Sequence, residues 1–226
     1  MYAKNRFRMG ASVIFEIPSD RFNERTCYGL LKDGLDDYQY KEETKFNPQR
    51  HRILAKGTNT GAFHNPKYPS DVAAGIDIAL DLHGRYDESG LGYQGPNRFL
   101  GLHLQAYDEY LERPEKFQLF LDLLPRAFDI LQVPYGWGDD FDHLLKFKKK
   151  DPRRHAFGLN FYGREAVAKI GRDRVLSAPA WRVDQRPWGG IIVQLVEKPF
   201  HAIRTIPDET REALRKHLRL EEIEWE

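Results

Sequence analysis

The chain has 226 residues, of which 41% are hydrophobic and 13% aromatic, and a formal net charge of +1. This composition predicts a globular chain with a hydrophobic core and excludes an intrinsically disordered one, and the near-neutral charge favours neither nucleic acid nor a membrane surface as a partner. The single cysteine, Cys27, permits no intrachain disulfide, and no run of about 18 apolar residues occurs, so we predict a soluble cytoplasmic protein.

The first half of the chain predicts one strand, a long loop and one helix. Residues 11–17 (ASVIFEI) are β-branched and aromatic, which predicts a strand. Residues 45–69 are rich in proline, glycine and asparagine and predict a loop, with a short strand at residues 51–55. Ser70 can cap a helix, and the helical spacing of apolar residues predicts that this helix extends over residues 71–83.

The second half alternates strands and helices. Residues 99–107 (FLGLHLQAY) predict a strand, and residues 114–131 predict the most strongly amphipathic helix. Pro125 removes one helical hydrogen bond at a cost of about 3 kcal/mol, which predicts a kink or break near residues 121–124. Further elements are predicted as strands at residues 133–137, 155–162 and 191–196, a helix at residues 164–170 ended by Gly171, and a last helix capped by Thr205.

The loose alternation of these elements, with a long loop early, predicts an α+β fold. We predict a single domain over residues 1–226, with a mostly antiparallel or mixed central sheet flanked by amphipathic helices. No internal repeat and no low-complexity linker divides the chain.

No segment carries a catalytic signature. Residues 90–95 (GLGYQG) match GxGxxG, but a strand follows them where a dinucleotide-binding loop needs a helix, so we interpret them as a loop. The eight histidines form no ligand pattern, and no nucleophile signature surrounds Cys27, so we predict no cofactor. A hydrolase with a carboxylate or histidine acid–base site stays open as the alternative function, because paired carboxylates need to be close only in space.

Two charged segments follow the amphipathic helix. Residues 139–143 (DDFDH) contain metal-ligand types, but their spacing matches no metal-binding loop, so we interpret them as a solvated acidic turn. Residues 146–154 form the one basic run, which in a neutral chain predicts an exposed loop or helix end rather than a nucleic-acid site. Tyr135 and Trp137 stand beside the acidic turn, and aromatic anchors with flanking charge are common at protein interfaces.

Several segments between residues 97 and 200 form a pattern of strands, glycine turns and helices. They are LERPE (111–115), PYGWG (134–138), GLNFYG (158–163), the segment 167–175 and GGIIVQ (189–194). This pattern resembles the type VI secretion immunity family, proteins long known only as a domain of unknown function. The family often continues with a "G-vN" signature, where this chain has FHAIR (200–204).

The resemblance implies a protein without enzymatic activity and without a cofactor or metal. Members of such a family are made beside a toxin, bind it in the producing cell, and block its active site or its assembly. The implied partner is therefore a cognate toxin, and a homodimer stays open. We predict that the toxin contacts are Tyr135, Trp137, Asp139, Asp140 and Asp142, with the aromatic and acidic segment 36–40 as the other candidate.

Overall fold

The computed structural model describes residues 9–17, 29–31, 33–35, 39–42, 60–64, 76–83, 99–107, 111–146, 151–200 and 206–225. Their strands are β1 (Met9–Ile17), β2 (Gln39–Glu42), β3 (Thr60–His64), β4 (Ile76–His83), β5 (Phe99–Tyr107), β6 (Tyr135–Asp140), β7 (Leu159–Tyr162), β8 (Arg182–Gln185) and β9 (Ile191–Gln194). Their helices are α1 (Pro114–Leu131), α2 (Phe141–Leu145), α3 (Arg164–Ile170), α4 (Arg172–Leu176) and α5 (Asp208–Leu218).

The nine strands form one sheet in the order β2-β3-β4-β5-β1-β6-β7-β9-β8, and every neighbouring pair is antiparallel. The predicted α+β class with a mostly antiparallel sheet is confirmed. No helix within the described ranges has both the length and the apolar character needed to cross a bilayer.

The sheet buries its two faces against different helices. On one face Phe15 of β1 packs edge-on to Phe161 of β7, with ring centroids 4.9 Å apart, and Phe128 of α1 lies 5.3 Å from Phe161. On the other face Ile14 belongs to a second apolar cluster together with Leu214 of α5. Because successive strand residues point to opposite faces, β1 supplies side chains to both clusters. The sheet therefore forms the middle of three layers, with α1 on one face and α5 on the other.

Three predicted elements agree closely with the structure. The strands predicted at residues 11–17 and 99–107 are β1 and β5, and the helix predicted at residues 164–170 is α3. Gly171 ends α3 with a φ of 100°, a conformation that favours glycine because it has no Cβ.

The helix predicted over residues 71–83 is wrong, because residues 76–83 form the strand β4. The segment IDIALDLH also alternates apolar and polar or small residues with a period of two, so it fits a strand as well as a helix. The backbone of β4 pairs along its whole length with β5, placing Ile78 opposite Leu104 and Leu82 opposite Leu100.

Of the kink or break predicted near residues 121–124, the break is wrong, because α1 is one continuous helix of 18 residues. An internal proline costs about 3 kcal/mol. Burying one large apolar side chain contributes about 1.5–3 kcal/mol, and α1 buries several on the sheet, among them Phe120, Leu124 and Phe128. Packing on the sheet therefore outweighs the local cost of the proline.

Smaller differences concern the ends of elements. The strand predicted at residues 155–162 begins later, at Leu159, after a 3₁₀ turn at Pro152–Arg154. The sequence does not predict β2 or β8, and β3 lies within the predicted loop at residues 45–69. The last helix begins at Asp208, with Pro207 at its N-cap and no side-chain cap from that residue. The segments 51–55, 90–95 and 36–38 lie outside the described residues, as do Thr205 itself and Cys27.

Candidate functional site

The predicted partner-binding residues lie on β6 and just after it, and most of them are interior. Tyr135, Trp137 and Asp139 expose only 2%, 5% and 0% of their surface, whereas Asp140 is half-buried and Asp142 is exposed. The interpretation of residues 139–143 as a solvated turn is therefore wrong for Asp139, and Tyr135 and Trp137 offer little surface to a partner. A contact between a partner and Asp140 or Asp142 stays a prediction.

The sequence YGWGDD fits a central strand for steric reasons. At Gly136 a Cβ would lie 2.7 Å from Phe15 Cδ1, and at Gly138 it would lie 2.6 Å from Val13 Cγ2. The glycines therefore leave room for β1 side chains on the face that packs against α1. The aromatic residues alternate with the glycines and fill the opposite face, so the aromatic–acidic pattern marks core rather than surface.

Asp139 forms a buried ion pair with Arg211 of α5. Its Oδ1 accepts hydrogen bonds from Arg211 Nη2 at 3.0 Å and from the Asp140 backbone N at 2.9 Å. Its Oδ2 accepts from the Gly158 backbone N at 2.8 Å and from Arg211 Nη1. An ionised carboxylate offers about four acceptor positions, so these contacts leave none for a metal ion or a partner.

The predicted acidic turn accordingly offers no metal site built on Asp139. Among the residues that the structure describes, no group of three or more histidine, cysteine, aspartate or glutamate side chains is placed to hold a metal ion. The Asp139–Arg211 pair instead ties α5 to the centre of the sheet.

A second carboxylate, that of Glu16 in β1, is mostly buried and lies on the α5 side of the sheet, in register with Tyr135. Burial raises the pKa of Glu16 from 4.5 to about 7, Arg153 opposes this rise, and Asp151 adds to it. Arg153 Nη1 lies 3.9 Å from Glu16 Oε1, while Glu16 Oε2 is buried without a hydrogen bond from a described residue. A carboxyl group that titrates near neutrality meets one requirement of acid–base chemistry.

A groove of about 770 Å³ opens between α1 and the hairpin formed by β8 and β9. Its floor consists of apolar side chains of the sheet, Leu159, Phe161 and Ile192. Its helix wall consists of residues of α1 and the turn before it, namely Leu111, Glu112, Pro114, Phe117, Gln118, Leu121, Asp122, Leu124 and Pro125. Its hairpin wall consists of Trp181, Arg182, Asp184, Arg186, Gln194, Glu197 and Lys198.

One end of the groove is fixed by Asp129 of α1. Its carboxylate accepts hydrogen bonds from Arg186 Nε at 2.8 Å, from Arg186 Nη2, and from Trp188 Nε1 at 2.9 Å. The Trp188 ring also packs edge-on against Phe128, with ring centroids 4.8 Å apart. Burial acts to raise the pKa of Asp129, but the hydrogen bonds from Arg186 and Trp188 outweigh it and hold the pKa below 3.8. The hairpin is therefore joined to α1 by these contacts, which fix the width of the groove at this end.

The rim of the groove combines one aromatic side chain with charges. Trp181 precedes β8 and exposes 54% of its surface, which is unusual for so large an apolar side chain. Arg182 Nε lies 2.8 Å from Asp184 Oδ2, so these two charges satisfy each other. An apolar floor, a polar rim and an exposed tryptophan are the usual features of a protein-binding surface.

The groove was not predicted from the sequence. One signal in the sequence points to part of it: Gly189 and Gly190 predict a tight turn before β9, and such a turn implies a preceding strand, which is β8. No signal along the chain connects that strand with α1, because Asp129 and Arg186 are 57 residues apart in sequence.

Neither protein-family models nor curated protein sequences match this chain. Among solved structures, the Pseudomonas aeruginosa T6SS protein PA0821 matches with a TM-score of 0.50 and 12% sequence identity, over 94% of this chain and 73% of that chain. The chain shares its fold with that protein. The likeness is one of fold, and it assigns no role to any residue of this chain.

Proposed function

We propose that this chain is an immunity protein that binds a cognate type VI secretion effector in the cytoplasm of the producing cell and neutralises it by protein contact. The observation that carries the proposal is the likeness in fold to a T6SS protein, which extends over 94% of the chain. The family resemblance of the segments between residues 97 and 200 points to the same role.

The groove beside Trp181 suits this role physically. Tight binding is favoured when the contact surface is ordered before the partner arrives, because little conformational entropy is then lost on association. Asp129 links the two walls of the groove, so the width of the groove is set before a partner binds. Trp181 supplies an exposed aromatic side chain of the kind that contributes most of the binding free energy at interfaces.

Growth of a bacterial host tests the proposal. The effector whose gene adjoins that of this chain is expressed alone, with this chain, or with an immunity protein for an unrelated effector as control. We expect growth to be restored by this chain only, and the two proteins to co-purify as one complex. Unrestored growth with both proteins soluble would contradict the proposal.

The second candidate function is a hydrolase with an acid–base carboxylate, and Glu16 is the observation in its favour. Its pKa of about 7 suits proton transfer at neutral pH. Its side chain is only 14% exposed, however, and it does not line the groove. Turnover in a screen of ester, phosphodiester and glycoside substrates that is lost in Glu16→Gln, with effector binding unchanged, would favour this function.

A further inference from the structure

We infer that the groove between α1 and the β8–β9 hairpin receives a short segment of the effector in which an apolar side chain is flanked by lysine or arginine. This inference rests on the proposed function and adds to it the surface and the chemistry of the contact. It replaces the predicted Tyr135–Asp142 surface, most of which is buried.

The apolar part of the segment follows from the floor and the aromatic rim. Leu159, Phe161 and Ile192 line the bottom of the groove, and Phe117 and Leu121 line the helix wall. The helix wall runs from Pro114 to Pro125, which is about 17 Å along a helix and matches about five residues of an extended chain. An apolar side chain that enters between Trp181 and Phe117 would remove both rings from water, which favours binding.

The basic part of the segment follows from the charges around the rim. The cations Arg186 and Arg182 are already engaged, by Asp129 and Asp184 respectively. In contrast, Glu112 and Glu197 form no ion pair with any residue that the structure describes, and Asp122 accepts only a hydrogen bond from Gln118. Among the cations that line the groove, Lys198 is left to offset the charge of these carboxylates.

The rim therefore has an excess of unpaired negative charge. A lysine or arginine beside the apolar anchor would meet these carboxylates at the edge of the groove, where opposite charges increase both the association rate and the specificity. A second copy of this chain would bring the same acidic rim to the contact, so charge favours an effector segment over self-association.

Peptide selection tests the inference even where the effector has not been identified. Random dodecapeptides displayed on phage are selected against the full chain, and the affinities of selected peptides are measured by fluorescence anisotropy. We expect enrichment of sequences with an aromatic or aliphatic residue next to lysine or arginine. Trp181→Ala should weaken their binding by roughly thirtyfold, the effect of losing one hot-spot side chain.

Charge variants test the basic part separately. Glu112→Lys combined with Glu197→Lys should weaken peptide binding at low ionic strength and have a smaller effect at high ionic strength, because salt screens exposed charges. The matched controls are Leu30→Ala, which truncates another exposed apolar side chain, and Glu209→Lys, which reverses an exposed charge on α5 across the sheet. Both controls should leave the affinity unchanged.

Three results would overturn the inference. The first is selection of peptides that bind Trp181→Ala as well as the wild type, or no selection at all. The second is a wild-type dimer in sedimentation experiments that becomes monomeric in Trp181→Ala, which would make a second copy the occupant. The third is a small molecule that is retained by the wild type in native mass spectrometry and lost in Trp181→Ala. If any of these occurs while the chain still protects a host from the effector, the proposed function stands and only the surface is wrong.

Discussion

At the scale of single residues, the Asp139–Arg211 pair should be the interaction whose loss the fold tolerates least. Both side chains are buried, so Arg211→Leu leaves the Asp139 carboxylate charged and without its main partner. Removing one member of a buried ion pair typically lowers the free energy of unfolding by about 3–5 kcal/mol. We expect a loss of this size in urea unfolding of Arg211→Leu.

The matched control is Arg215→Leu, one turn further along α5, where the arginine pairs with Glu212 near the surface. It should change the free energy of unfolding much less, because exposed ion pairs contribute little. The double variant Asp139→Asn with Arg211→Leu should recover part of the loss, since no charge is then left buried. Equal losses in Arg211→Leu and Arg215→Leu would contradict the structural role of the buried pair.

Glu16 predicts a specific dependence of stability on pH. Its pKa is about 7 in the folded chain and 4.5 when exposed, so the folded state retains the proton more strongly. The stabilisation that folding gains from the protonated Glu16 side chain is complete below pH 4.5 and is lost as the pH rises through about 7. Because glutamine does not ionise, Glu16→Gln avoids burying a charge at alkaline pH. Its free energy of unfolding should exceed that of the wild type by about 3 kcal/mol at about pH 8.

Urea unfolding at a series of pH values measures this effect. Glu16→Gln and wild type should have similar stability in acid and should diverge toward alkaline pH. Glu209→Gln, an exposed substitution on α5, should follow the wild-type curve throughout. Parallel curves for wild type and Glu16→Gln would contradict a raised pKa of Glu16 in the folded chain.

At the scale of elements, the β8–β9 hairpin depends on α1 for its position. Asp129→Asn removes the negative charge that holds Arg186 and weakens the link between hairpin and helix. A hydrogen bond to a charged group contributes about 1.5–3 kcal/mol, so we expect amide hydrogen exchange in β8 and β9 to accelerate. Exchange in β1, at the centre of the sheet, should remain slow.

The control for this experiment is Asp122→Asn, on the same helix, where Gln118 is the one described residue that donates a hydrogen bond to the carboxylate. It should leave exchange in the hairpin unchanged. If Asp129→Asn also leaves exchange in the hairpin unchanged, contacts such as Phe128–Trp188 are sufficient to hold the groove open, and Asp129 is not the fixing residue.

The elements themselves show which patterns in the sequence were informative. The sequence predicts β1 from its β-branched and aromatic residues, β5 from its alternating leucines, and α3 from Gly171, which ends it. The segment of β4 satisfies both the helical and the strand period, and only its pairing with β5 decides between them. The strand β8 has two charged residues among four and carries little apolar signal of its own.

At the scale of the whole molecule, the sequence predicts the fold class but not the position of the site. The YGWGDD segment combines aromatic and acidic residues as an interface does. Only the close approach of Phe15 and Val13 to its glycines makes it a central strand. The groove is likewise assembled from segments that are distant in the chain, so its chemistry becomes visible only after folding.

Binding of an effector at the groove is the central proposal, since the groove is the surface at which we expect this chain to contact it. Isothermal titration of the purified effector into wild type, Trp181→Ala and Leu30→Ala tests it most directly. We predict stoichiometric binding to the wild type and to Leu30→Ala, and binding to Trp181→Ala that is weaker by roughly thirtyfold. Equal affinity for all three proteins would contradict the claim for the groove, and no binding to the wild type would contradict the immunity function itself.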